Sequence, residues 1–163
     1  MNADHSKQIE ALYFELFDKL MAYARSILDN DALAEEAVQE TFRIACQKPE
    51  SICNSPNPKG WIFITLKNTI HNLRRSRITA RHVLEQYLIA QAAEMTFSDN
   101  KLSIEVTYEN IADTDEFILL KELAIDGKSH EEMAAARGIT VSACKKRVQR
   151  AKEKLQKKLK NCL

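Results

Sequence analysis

The chain has 163 residues, with 24 Lys+Arg against 23 Asp+Glu, 45% hydrophobic and 29% charged, an ordinary globular mix rather than a disordered one. Three Gly and three Pro are too few turn formers for a β-sandwich or barrel, which needs a turn every ~8–12 residues. No apolar run nears the roughly 18 residues of a membrane span. The first residues lack an apolar signal core, and Cys46, Cys53, Cys144 and Cys162 form no Cys-x-x-Cys pair. The expectation is an all-α, cytoplasmic protein with reduced thiols.

Ile9, Leu12, Tyr13, Leu16, Phe17, Leu20, Ala24, Ile27 and Leu28 repeat at three- and four-residue steps, which predicts a helix over about 8–28. Asp29-Asn30-Asp31 stops it and can cap the next helix, about 31–47. Leu33, Ala34, Ala37, Val38, Thr41, Phe42 and Ala45 mark the inner stripe of that helix. Its other face carries Glu35, Glu36, Gln39, Glu40 and Arg43. Pro49, Pro56, Pro58 and Gly60 crowd the next stretch, so 48–57 reads as a loop. Asn57-Pro58 looks like a cap followed by a proline in the first turn.

A third helix is expected over about 58–78, burying Ile62, Leu66, Ile70 and Leu73. It exposes Trp61, Ile64, Lys67, Asn68, His71, Arg74 and Arg75. Val83, Tyr87, Leu88 and Ala92 extend it to about 93, and 94–106 reads as a linker. Phe117, Leu120, Leu123 and Ala124 predict a helix over about 114–126, ended by Gly127. Ser129-x-x-Glu132 is a capping-box pattern that opens a short helix, about 130–137. Gly138 ends it. Thr140 or Val141 opens the last helix, with Cys144, Val148, Ala151, Leu155 and Leu159 as its stripe.

The near-neutral total hides a charge pattern. Residues 1–47 sum to −5, 67–82 to +5 with no acid, 83–126 to −8, and 140–163 to +8. Two basic segments separated by an acidic one suggest two polyanion-contacting surfaces. The second lies in a helix-turn-helix pattern: two helices joined by a short turn with Gly138, and the small Ala134 where they cross. Ser142, Lys145, Lys146, Gln149 and Arg150 then share the outer face, as side chains that suit base edges and phosphates in a major groove.

Residues 31–42 (DALAEEAVQETF) resemble the acidic second helix of bacterial sigma-70-type factors of the extracytoplasmic-function class. Residues 60–75 (GWIFITLKNTIHNLRR) resemble the promoter-reading helix of that class, and 127–134 with 144–155 resemble its C-terminal domain. The resemblance covers 9–78 and 111–160 in the family's order. It departs at His71, where the family commonly has Asp, and at Ala143-Cys144, in place of a common Thr-Val. The stretch before 111 is also short and polar for the usual leading helix of the C-terminal domain.

The resemblance implies two small helical domains. Residues 1–93 would be a three- to four-helix region 2-like bundle, 94–106 a linker, and 107–163 a region 4-like helix-turn-helix. It implies a polymerase subunit that binds core RNA polymerase, recognises −35 and −10 promoter elements and helps melt DNA, with an anti-sigma factor as a further partner. Glu35, Glu36, Gln39, Glu40 and Arg43 would meet the polymerase by charge complementarity. Ser51, Asn54 and Ser55 in the loop, with Trp61, Asn68 and His71, would hold an unstacked base of the −10 element. Lys67, Arg74, Arg75 and Arg77 would contact its phosphates. Thr140, Ser142, Lys145, Lys146, Arg147, Gln149 and Arg150 would contact the −35 element.

A helix-turn-helix regulator with an N-terminal dimerisation domain is the alternative, although it leaves the first basic helix without a task. An enzyme is disfavoured. His5, His71, His82 and His130 lie in different elements without metal-ligand spacing, and three Gly cannot build a phosphate loop. No catalytic residue, metal or cofactor is expected.

Overall fold

A computed structural model describes residues 3–96 and 114–161. Those residues form helices joined by short turns, with no strand among them. The helices are α1 (Ala3–Leu28), α2 (Asp31–Gln47), α3 (Pro49–Cys53), α4 (Pro58–Thr96), α5 (Asp115–Ala124), α6 (His130–Ala136) and α7 (Val141–Asn161).

The boundaries follow local chemistry. Asp29 ends α1 in the left-handed region at φ 48°, a conformation that short polar side chains tolerate. Asn30 then caps α2, its side-chain oxygen accepting from the Leu33 amide at 3.0 Å. Asn57 caps α4 by accepting from the Gly60 amide at 2.9 Å. A Cβ on Gly60 would lie 2.6 Å from Asn57 Nδ2, so the glycine leaves room for the capping amide. Ser129 and Glu132 form the expected capping box: Ser129 N donates to Glu132 Oε2 at 2.7 Å and Glu132 N to Ser129 Oγ at 3.2 Å.

Three stretches differ from the sequence expectation. The helix α1 begins near residue 3 rather than 8. The proline-rich loop 48–57 contains α3, which starts on Pro49 and buries Ile52 completely. Proline sits in its first turn, where a missing N–H costs nothing. The helix read as 58–78, with an extension to about 93, runs unbroken to Thr96, so 94–96 of the expected linker are helical. The rest of the expected linker, and Ile111–Asp113, lie outside the described residues.

The packing divides the chain into two units, Met1–Arg75 and Ser76–Leu163. In the first unit, Leu12, Leu16 and Leu20 of α1 meet Val38 and Phe42 of α2, Ile52 of α3, and Ile62, Leu66 and Ile70 of α4. In the second, Ala80, Val83, Leu84 and Tyr87 of α4 pack with Phe117, Leu120 and Leu123 of α5, Met133 and Ala134 of α6, and Cys144, Val148 and Leu155 of α7. Each buried Leu, Ile or Phe stabilises its unit by about 1.5–3 kcal/mol.

The sequence assigned 79–93 to the first domain, whereas its apolar stripe joins the second core. Ala80, Val83, Leu84 and Tyr87 occupy one face at three- and four-residue steps, and that face packs into the second core ahead of α5.

Candidate nucleic-acid interfaces

In the first unit, α4 turns Ile62, Leu66, Thr69, Ile70 and Leu73 inward. The same 3.6-residue period leaves Lys67, Asn68, His71, Asn72, Arg74 and Arg75 exposed. Beside them lies a groove of about 330 Å³, bounded by Ile44 and Lys48 from the end of α2 and by Trp61, Thr65, Asn68 and Asn72 of α4, among others. Trp61 is half-buried and packs against the core, while Ile64 is 64% exposed on the groove wall. Thr65 donates its hydroxyl to the Trp61 carbonyl at 2.9 Å. The groove therefore combines an aromatic ring and two amide side chains with flanking cations, the set that holds an unstacked base.

The sequence residues distribute unevenly around this groove. Trp61 and Asn68 line it, whereas His71 shares the exposed arc outside it. Ser51 and Asn54 are exposed and Ser55 is half-buried. None of the three lines the groove, and Ser55 Oγ accepts from the Asn57 amide at 3.2 Å. Sequence reasoning missed Lys48, Thr65 and Asn72. Asn72 was findable, since it stands four residues after Asn68 on the same helix face. Lys48 carried no signal, because only the packing of α2 against α4 brings it there.

On α2, Glu35 is exposed and accepts from Gln39 Nε2 at 3.3 Å. Arg43 binds Glu40 with both ends of its fork, at 2.8 and 2.6 Å. The hydrogen bond with Glu40 raises the Arg43 pKa. Glu36 does not join this exposed face, for it is only 2% exposed. The helix covers Glu36 together with Leu33 one turn before it, so the covered arc is wider than the apolar residues alone mark.

In the second unit, α6, the turn and α7 form the helix-turn-helix. Ala134 is 2% exposed, and its carbonyl accepts from the Arg137 and Ile139 amides, both at 3.1 Å. Gly138 has φ 61° with open space where a Cβ would stand, so its role is conformational rather than steric. Thr140 Oγ1 caps α7 by accepting from the Ala143 amide at 3.2 Å.

Ser142, Lys146 and Gln149 are exposed on the outer face, with Lys145 half-buried at its edge. Gln149 Nε2 donates to Glu153 Oε1 at 2.8 Å. Arg147 and Arg150 are exposed too, but they line a groove of about 580 Å³ between α7 and α5, opposite Asp115, Glu116 and Ile118. There Lys154 bonds Glu116, and that hydrogen bond holds the Glu116 carboxyl below its ordinary pKa.

The turn before α6 is braced by Glu122, which accepts from Lys128 Nζ at 2.7 Å and from Arg137 Nη2 at 2.5 Å. Burial pushes the Glu122 carboxyl up, but these two bonds outweigh it and its pKa lies below the usual value.

Arg77, expected on phosphates, has a different task. Its Nη2 donates to the Lys128 carbonyl at 2.6 Å and to the Gly127 carbonyl at 3.3 Å. Arg81 donates to the Ala124 carbonyl at 3.1 Å. Both guanidinium groups close off carbonyls at and after the C-terminus of α5, where cations are favoured. Among the described residues, no group of three or more His, Cys, Asp or Glu could hold a metal ion. No helix among them is long and apolar enough to cross a membrane.

Two known modules match the chain in order. The sigma-70 region 2 model matches residues 12–78, and the sigma-70 region 4 model matches residues 118–155. The chain belongs to the sigma-70 family. This sigma-70 family chain is 39% identical over 69 residues to the ECF RNA polymerase sigma factor SigL of Mycobacterium tuberculosis, across 42% of the chain and 39% of SigL. It is 28% identical over 143 residues to the ECF RNA polymerase sigma factor EcfG of Rhodopseudomonas palustris, across 83% of the chain and 76% of EcfG. The match thus spans about two-fifths of the length of SigL. No solved structure gives a significant match to this family member.

Proposed function

We propose that this chain is the promoter-reading subunit of a bacterial RNA polymerase, an alternative sigma factor that acts in the cytoplasm. It binds core polymerase through Glu35, Gln39 and the Glu40–Arg43 pair on α2. The first unit holds the melted −10 strand along α4, with bases against Trp61, Asn68, His71 and Asn72 and phosphates on Lys67, Arg74 and Arg75. The second unit lays α7 in the major groove of the −35 element, with Ser142, Lys146 and Gln149 toward base edges and Lys145, Arg147 and Arg150 toward phosphates. The role is to position and open DNA rather than to catalyse. An anti-sigma protein that covers these cationic faces is the corresponding inhibitory partner.

One observation carries this reading. Each unit exposes its own cationic helix face next to side chains able to bond base edges, and the face on the first unit borders a groove that includes an aromatic ring. Extracting a base costs a few kcal/mol, which stacking and hydrogen bonds in such a groove offset. A regulator that reads duplex DNA alone needs no such groove. The test is transcription by purified core polymerase from a library of fork-junction templates. Stimulation by the chain supports the proposal; core binding without stimulation on any template, or no core binding, refutes it.

A further inference from the structure

One buried cation remains without a task. Lys152 of α7 is 7% exposed, and its Nζ donates to Ser76 Oγ at 2.8 Å. Burial lowers its pKa, and an ammonium taken out of water costs free energy unless it is hydrogen-bonded. Ser76 lies inside α4, a position where alanine favours the helix more than serine does, by a few tenths of a kcal/mol. The hydroxyl is therefore not there for the sake of the helix. Lys152 stands three residues after Gln149 and seven after Lys145, on the flank of α7 that borders its DNA-facing side. The Ser76–Lys152 bond joins the α4 segment of the second unit directly to the recognition helix, a polar link beside the apolar contacts of the second core.

Apolar contacts are non-directional and tolerate small rotations. A helix with side chains is ~10–12 Å across, so a rotation of about 20° carries a side-chain tip by roughly 2 Å. A bidentate bond to a base edge does not survive such a shift, since hydrogen-bond distances span only about 0.5 Å. We propose that Ser76 is a positioning residue for −35 recognition: through Lys152 it fixes the rotation of α7 about its own axis, and so the placement of Ser142, Lys146 and Gln149. This rests on the reading of α7 as the −35 helix.

The test uses the full chain and two probes: the duplex that the wild-type chain enriches most from a randomised pool, and an unselected duplex. Ser76→Ala and Lys152→Met are each expected to weaken the selected duplex about 5- to 10-fold, near the low end of the cost of one wrong base pair, and the unselected one less than about 2-fold. The double variant is no worse than either single one, because both remove the same bond. Ser76→Thr, which keeps the hydroxyl, retains most of the preference.

Ser76→Ala is expected to lower the melting temperature by only a few degrees, because the Lys152 ammonium loses that bond, and to leave the salt dependence unchanged. Equal weakening of both probes, an unchanged preference, or a fall in melting temperature that accounts for the loss overturns the proposal. So does a salt slope shallower by about 0.9 in Lys152→Met alone, which would make Lys152 a phosphate contact. If the wild-type chain enriches no duplex, the −35 reading itself fails and the proposal falls with it.

Discussion

Arg74 and Arg75 lie within two turns of Arg77 and Arg81 on one helix, yet the two pairs do different things. The first pair is exposed beside Asn68, His71 and Asn72 in the first unit. The second pair donates to backbone carbonyls of the α5 terminus and the turn after it in the second unit. The run 67–82 carries five bases and no acid, and as a sequence it reads as a single cationic surface. Charge in a segment counts the cations but does not say which of them already have carbonyl partners. An arginine that satisfies orphan carbonyls at a helix end is part of the fold, and it does not count toward a DNA-facing surface.

The largest effects come from the two cores. Leu66→Ala and Leu84→Ala each remove a fully buried side chain, on opposite sides of the unit border, at a cost of about 2–5 kcal/mol. Hydrogen exchange should show Leu66→Ala lowering protection mainly in α1–α3, and Leu84→Ala mainly in α5–α7. Equal loss throughout would erase the division into two units.

The arginines give the next contrast. Arg77→Met should lower stability by about 1.5–3 kcal/mol, the range for hydrogen bonds to a charged group, and leave the salt slope of single-strand binding unchanged. Arg74→Met should change stability by less than about 0.5 kcal/mol and make that slope shallower by about 0.7. Denaturant melts and salt titrations of both variants decide whether the two pairs differ as described.

Gly138→Ala tests the turn of the second unit. The new Cβ meets nothing within 4 Å, so only the left-handed backbone opposes it, at about 1–2 kcal/mol. The same substitution at Gly60 instead meets the Asn57 side chain and should act through the lost cap of α4.

A modest, pH-dependent effect is expected of Glu122→Gln. The Glu122 pKa is depressed in the folded protein, so its ion pairs contribute above the unfolded value of about 4.3. That contribution disappears as pH falls through the folded value. The variant should be about 1 kcal/mol less stable than wild type at neutral pH, and the difference should close on acidification. A difference that persists at low pH would mean that Glu122 acts by packing alone.

Local chemistry made most elements legible. Asp29-Asn30-Asp31, Asn57-Pro58, Ser129-x-x-Glu132 and Gly138 are complete start and stop signals, and the helices they bound stand within a few residues of expectation. The proline-rich stretch hid α3, because proline reads as a breaker although it is tolerated in a first helical turn. The faces of α4 and α7 followed from periodicity, which places Asn68 and His71 outside and Leu66 and Leu73 inside. What the sequence did not reveal depends on partners far along the chain. Arg77 meets Gly127 and Lys128 about fifty positions away, Lys152 meets Ser76 across the second unit, and Lys48 reaches the groove only through helix packing. Periodicity separates inside from outside, but it does not name the neighbour.

The stretch of α4 that carries Ala80, Val83, Leu84 and Tyr87 has a practical consequence for chimeras. Swapping C-terminal halves between relatives at a junction after residue 96 would pair one parent's α4 stripe with another parent's Leu120, Met133 and Val148. A junction just before Ser76 transfers all of these side chains together. Hybrids spliced there should keep a native second core, and hybrids spliced later should be loosely packed and prone to aggregate.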